Sequence, residues 1–251
     1  MKGFLPLLKK EIKEQIRTHR LLIVGGVFLF FSLTAVLSLV YLPEIIKMSG
    51  QDLQISIPPV TAVQALGEFS STMVQMGVFV MTLIAMGMIA NEVKHGTALL
   101  TLSKPVSRGA FIGAKFVALN LTLLISLWFS AIVSYAYTVW LIGSTPFGPF
   151  VILTLLLSLF LILCVAVTLL FSTLFKSSLA AGGLALGVII AQGIFSSLPV
   201  IGDYFPGKLT GWGINLLSGI GKDYWWALLI TLVLIAVCLL LAQRNLKNKE
   251  M

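Results

Sequence analysis

Residues 150–172, "FVILTLLLSLFLILCVAVTLLFS", contain no Asp, Glu, Lys, Arg or His. A helix rises ~1.5 Å per residue and the hydrocarbon core of a bilayer is ~30 Å thick, so about 20 apolar residues are enough to cross it. The run is continuous rather than alternating, which favours a helix over a barrel strand. Five further runs, near 21–41, 73–90, 118–142, 178–198 and 225–242, also lack all five residue types. Of the 251 residues, 58% are hydrophobic and 10% charged. Soluble domains carry about 25% charged residues, so this chain has too few to cover a soluble core. The expected fold is an all-α integral membrane protein with six transmembrane helices.

The charges between the runs set an orientation. Before the first run stand Lys2, Lys9, Lys10, Lys13, Arg17 and Arg20. Residues 91–117 carry Lys94, Lys104, Arg108 and Lys115, the link at 173–177 carries Lys176, and the tail carries Arg244, Lys247 and Lys249. These fourteen fall on one side if the spans alternate, against Lys47, Lys208 and Lys222 on the other. Basic flanks stay in the cytoplasm, so both termini and residues 91–112 are expected there. An even number of spans agrees with like-sided termini.

The N-terminus does not read as a cleavable signal, because its charged region is long and includes Glu11 and Glu14. Residues 1–20 read instead as an amphipathic interfacial helix, ahead of a membrane domain over 21–251. Leu5, Leu8, Ile12 and Ile16 recur at helical spacing, Lys9, Lys10, Lys13 and Arg17 lie round the other faces, and Pro6 suits a first turn. Such a helix lies in the inner membrane interface. The bland alternative is a basic flank that only satisfies the charge bias.

Chemistry of its own is not expected. There is no HExxH, no GxSxG and no phosphate-cradling GxxxxGK[ST]. Cys164 and Cys238 fall inside spans and read as packing residues, and His19 and His95 are too few for a metal site. The chain therefore reads as a non-enzyme with no catalytic, cofactor or metal residues. Gln75, Asn120 and Gln192 are the polar candidates inside the spans, expected to hydrogen-bond between helices.

Residues 91–116, "NEVKHGTALLTLSKPVSRGAFIGAKF", interrupt the apolar pattern. Residues 91–104 suit a short helix leaving the membrane, with Glu92, Lys94 and His95 turned to water or a partner. Pro105 disfavours helix at Lys104, and Ser107 suits an N-cap for a helix starting at Arg108. Lys115 is placed to snorkel to the interface. A plain connection needs about 2–8 residues. The longer mixed segment reads as a docking surface, or else as a loop that caps the bundle.

The pattern Glu92, Gly96–Thr97, Leu100, Leu102–Ser103, Pro105, Ser107–Arg108 and Lys115 resembles the segment between the second and third helices of ABC-2 type ABC-transporter permeases. "LLKKEIKEQIR" resembles that family's N-terminal amphipathic helix, including Glu11. The resemblance implies that 91–108 is a coupling helix docking on a separate ATPase, with Glu92, Gly96, Thr97, Leu100, Ser103, Pro105 and Arg108 as docking positions. "TALLTL" departs from the family where many members carry an acid. It further implies a transmembrane permease subunit of an ABC transporter, acting as an exporter in the cell membrane. Its partners would be two ABC ATPase subunits that bind the ATP, a second permease copy or paralogue, and membrane lipid, with no nucleic acid. The reading from another class is an ion-coupled secondary transporter or channel without an ATPase. That reading calls for intramembrane charges, and the six runs have none.

Two loops face the other side. Residues 42–72 include "VTAVQALGEFSSTM", which can start the second helix early. Residues 199–224 are apolar but broken by Pro and Gly, and suit an interfacial or re-entrant hairpin. Tyr204, Trp212, Tyr224, Trp225 and Trp226 are expected at headgroup depth.

Overall fold

A computed structural model describes residues 3–48, 60–96, 107–199 and 201–248. The described residues are helical, with α1 (Phe4–Arg17), α2 (Arg20–Met48), α3 (Ala62–Ala85), α4 (Gly87–Lys94) and α5 (Arg108–Leu141). Then follow α6 (Phe147–Leu174), α7 (Ser178–Ser196), a 3-10 turn at Gly202–Tyr204, α8 (Lys208–Leu217) and α9 (Trp225–Asn248). Six helices are long and apolar enough to cross a membrane: α2, α3 continued by α4, α5, α6, α7 and α9. The protein is an all-α membrane protein with six spans, as composition and run length require.

The second span is longer than the run at 73–90. Thr61 starts it early with a capping box: Thr61 Oγ1 accepts the Gln64 N–H, and Gln64 Oε1 accepts the Thr61 N–H at 3.0 Å. Ser107 opens α5 as the sequence predicts, its Oγ accepting the Ala110 N–H at 3.2 Å.

α6 is the centre of the bundle and its most apolar and most buried span. It packs on α3, α5, α7, α8, α9 and α4. Leu153, Leu157, Leu161, Val165 and Leu169 on it are fully buried. α8, within the segment 199–224, lies against the first turns of α6. Gly213 permits this, since a Cβ there would come within 2.8 Å of the Leu153 Cα. Ten residues of helix are about 15 Å long, too short to cross.

The aromatics expected at headgroup depth divide by burial. Tyr204, Trp225 and Trp226 are exposed, but Trp212 and Tyr224 are buried. Trp212 packs edge-on against Trp225 and donates Nε1–H to Asp223 Oδ1 at 3.1 Å. The tertiary fold turns these two aromatics inward because α8 needs an apolar face against α6.

The segments that flank the spans with basic residues meet at one end. Lys115 on α5 bonds to α1 and α4, Arg108 to the end of α9, and Ser178 to Asn91. The alternation inferred from the charge count is therefore the observed connectivity.

Candidate functional site

At that end, α5 carries Lys115 on the face toward α1 and α4. Its Nζ donates to Glu11 Oε1 at 3.0 Å and to Glu92 Oε1 at 2.7 Å. Lys115 and Glu11 are 1% and 2% exposed. Burying an unpaired charge is costly, and one lysine shared by two carboxylates leaves a net negative charge. Lys10 offsets it from the rim, 3.7 Å from Glu11 and 3.9 Å from Glu92, with half its side chain in solvent. The Lys115 ammonium also lies 5.1 Å from the centre of the Phe111 ring. The expectation that Lys115 snorkels outward is thus corrected. Two acids facing the same point hold it inside, and neither is adjacent to it in sequence.

Glu11 belongs to a buried row on α1, with Leu7 and Gln15 one turn away on either side. Gln15 Oε1 accepts from Thr122 Oγ1 on α5 at 3.2 Å. Glu11 and Gln15 therefore face the bundle, while Leu5 and Ile16 of the apolar stripe face away.

Of the expected docking positions, Thr97, Leu100, Ser103 and Pro105 lie outside the described residues. Glu92 is largely buried on α4 and turned to Lys115, not only to water or a partner. The short helix over 91–104 is corrected at its start. α4 ends at Lys94, His95 N–H bonds back to the Asn91 carbonyl and Gly96 N–H to that of Val93. Gly96 has φ +72°, the left-handed conformation that closes a helix and that other residues adopt with strain. A Cβ on it would meet nothing within 4 Å. Arg108 opens α5 and donates Nη1–H to the Leu246 carbonyl at 2.6 Å, a cation at the C-terminal end of α9. Glu92, Gly96 and Arg108 thus all stand at the charged end, each with a structural task of its own.

Sequence reasoning missed the joint that aims α4. The helix breaks at Met86, and Ser172 of α6 fills the gap. Its Oγ accepts the N–H groups of Ile89 at 3.1 Å and Ala90 at 3.0 Å and donates to the Met86 carbonyl at 2.8 Å. A side chain inserted into the backbone ladder is an established cause of a kink. Ser178 at the start of α7 donates to Asn91 Oδ1 at 2.6 Å, so α4 is held from two sides. Serines inside an apolar run give no sequence signal for such a role, because most bond back to their own helix.

A second feature lies on α3. Gln64, Glu68 and Gln75 are exposed and Ser71 half-buried, at helical spacing along one face, above Phe79 and Leu83. Gln75 lies about 25 Å along the helix from Glu92, at ~1.5 Å per residue, which is still within hydrocarbon depth. Gln75 points out of the bundle. For Asn120 the expected bond between helices is corrected, because its Nδ2 donates to the Phe116 carbonyl of its own helix at 2.8 Å. Gln192 is half-buried on α7. The spacing 64, 68, 71, 75 was legible only once the helix was known to start at Ala62.

Five spans around α6, with an internal charge cluster and a broken helix at one end, define a multi-pass helical membrane protein. The chain matches the ABC-2 family transporter protein family over residues 5–251 and belongs to that family. It is also similar to the "Uncharacterized transmembrane protein YxlG" of Bacillus subtilis (strain 168). The two are 26% identical over 241 residues, covering 94% of this chain and 93% of that one.

Proposed function

We propose that the protein is the transmembrane permease subunit of an ABC exporter in the cell membrane. A separate ATPase, two copies per transporter, would bind the ATP and dock on the segment from Glu92 to Arg108. Both termini would be cytoplasmic, which the fourteen-to-three distribution of basic residues supports. The observation that carries the transport reading is the outward polar face of α3. Lipid leaves Gln75 without hydrogen-bonding partners, whereas a second permease copy enclosing a polar path supplies them. The joint at Met86 and Ser172 would transmit ATPase closure, because α4 joins the docking segment to α3 directly. Such a linkage works only through different affinities for the two bundle arrangements.

The test uses tagged protein purified from its native membrane. An ABC ATPase should co-purify, and Lys94→Glu with His95→Glu should release it at unchanged yield, since both residues are exposed. Gln75→Cys, with Cys164 and Cys238 replaced by Ala, should cross-link two copies on oxidation. No ATPase with the wild-type chain and no cross-link at Gln75 would together reject the reading.

A further inference from the structure

α1 presents three faces. Leu7, Glu11 and Gln15 are buried in the bundle. Roughly a quarter-turn away, Leu5, Leu8, Ile12 and Ile16 form an apolar strip, with Leu5 74% and Ile16 59% exposed. Beyond the strip, Lys9, Lys13 and Arg17 stand one turn apart, all exposed. Strip and row lie side by side on the exposed surface of α1.

An apolar strip beside a cationic row is complementary to an amphiphile with an anionic head and an apolar tail. A soluble acidic peptide would leave the strip in water, and a zwitterionic lipid would leave the row without counter-charge. We propose that this face of α1 is a binding site for an anionic glycerophospholipid. Lys9, Lys13 and Arg17 hold the phosphate, and the acyl chain lies along Leu5, Leu8, Ile12 and Ile16. The proposal rests on reading α1 as an interfacial helix and not on any ATPase partner, so it stands or falls separately from the docking reading. The opposite face of the same helix carries Glu11, bonded to Lys115, which also holds Glu92. Lipid and coupling segment therefore grip one helix from two sides.

The experiment uses the purified full chain in detergent. Fluorescence anisotropy follows phosphatidylglycerol carrying a labelled acyl chain, beside phosphatidylcholine with the same tail. Phosphatidylglycerol should bind at least tenfold more tightly, and added salt should narrow the difference. Each Lys or Arg near an anionic headgroup contributes about fivefold, so Lys9→Gln, Lys13→Gln and Arg17→Gln together should cost roughly a hundredfold for phosphatidylglycerol. Phosphatidylcholine binding should not change. Leu5→Ser with Ile16→Ser should weaken both lipids. The wild-type preference between lipids needs no variant, so it decides the matter even if a substitution unfolds the chain. Equal binding of the two lipids, or full phosphatidylglycerol binding by the triple variant, overturns the proposal. Displacement by inorganic phosphate alone would mark a free-anion site instead. A change of oligomeric state in the triple variant, without lipid preference, would mark a face for a second copy.

Discussion

Both the Lys115 cluster and the Lys208–Asp203–Lys222 cluster join lysines to carboxylates, at opposite ends of the bundle. Lys115 sits 2.7 and 3.0 Å from two acids and is 1% exposed. At the other end, Lys208 and Lys222 lie 3.8 and 3.4 Å from Asp203, whose side chain is 41% exposed. Water screens exposed pairs until little remains, whereas a buried charge that loses its partner keeps the whole cost of desolvation. Similar chemistry therefore organises the fold at one end and decorates the surface at the other.

The sharpest test of that contrast is Lys115→Met. It leaves Glu11 and Glu92 buried beside each other, and the expected loss is about 3–5 kcal/mol, seen as a collapse of thermal unfolding temperature in detergent. Adding Glu11→Gln and Glu92→Gln should recover most of it. A tolerated single variant would mean that water reaches the cluster.

Ser172→Ala comes next. It strands two N–H groups and the Met86 carbonyl at the joint, for about 1–3 kcal/mol. Amide exchange at Ile89 and Ala90 on α4 should quicken while α6 stays protected. Unchanged exchange there would remove Ser172 from the joint.

Gly96→Ala should cost roughly 1–2 kcal/mol, from the left-handed backbone alone. Gly96→Asn should cost less, because Asn tolerates that conformation. Equal costs would show that α4 does not end there in solution.

The smallest effect belongs to the exposed cluster, where Asp203→Asn should leave the unfolding temperature unchanged. Lys222 titrates above the usual lysine range, first through its hydrogen bond with Tyr224 and then through the charge of Asp203. A raised lysine pKa gives stability that is full below the unfolded value and is lost as pH rises through the folded one. That window is strongly alkaline, so pH changes near neutrality should not move this end. A measurable loss in Asp203→Asn at neutral pH would erase the contrast between the two clusters.

Much of this protein follows from local rules. Uncharged runs such as 150–172 fixed the number of spans, because lipid admits only helices whose backbone bonds are internal. The distribution of basic residues fixed which segments share an end, and Ser107 marked the start of α5. The apolar stripe and basic row of α1 were likewise legible, since helical period alone places them. What the sequence left undetermined depends on distance in three dimensions. Glu11, Glu92 and Lys115 meet from three helices, so only the packed bundle turns a snorkelling lysine into a buried one. Ser172 stands more than eighty residues from the amides it serves, and Trp212 turns inward only because α8 lies on α6. Period and composition act through neighbours in the chain, whereas burial and pairing act through neighbours in space.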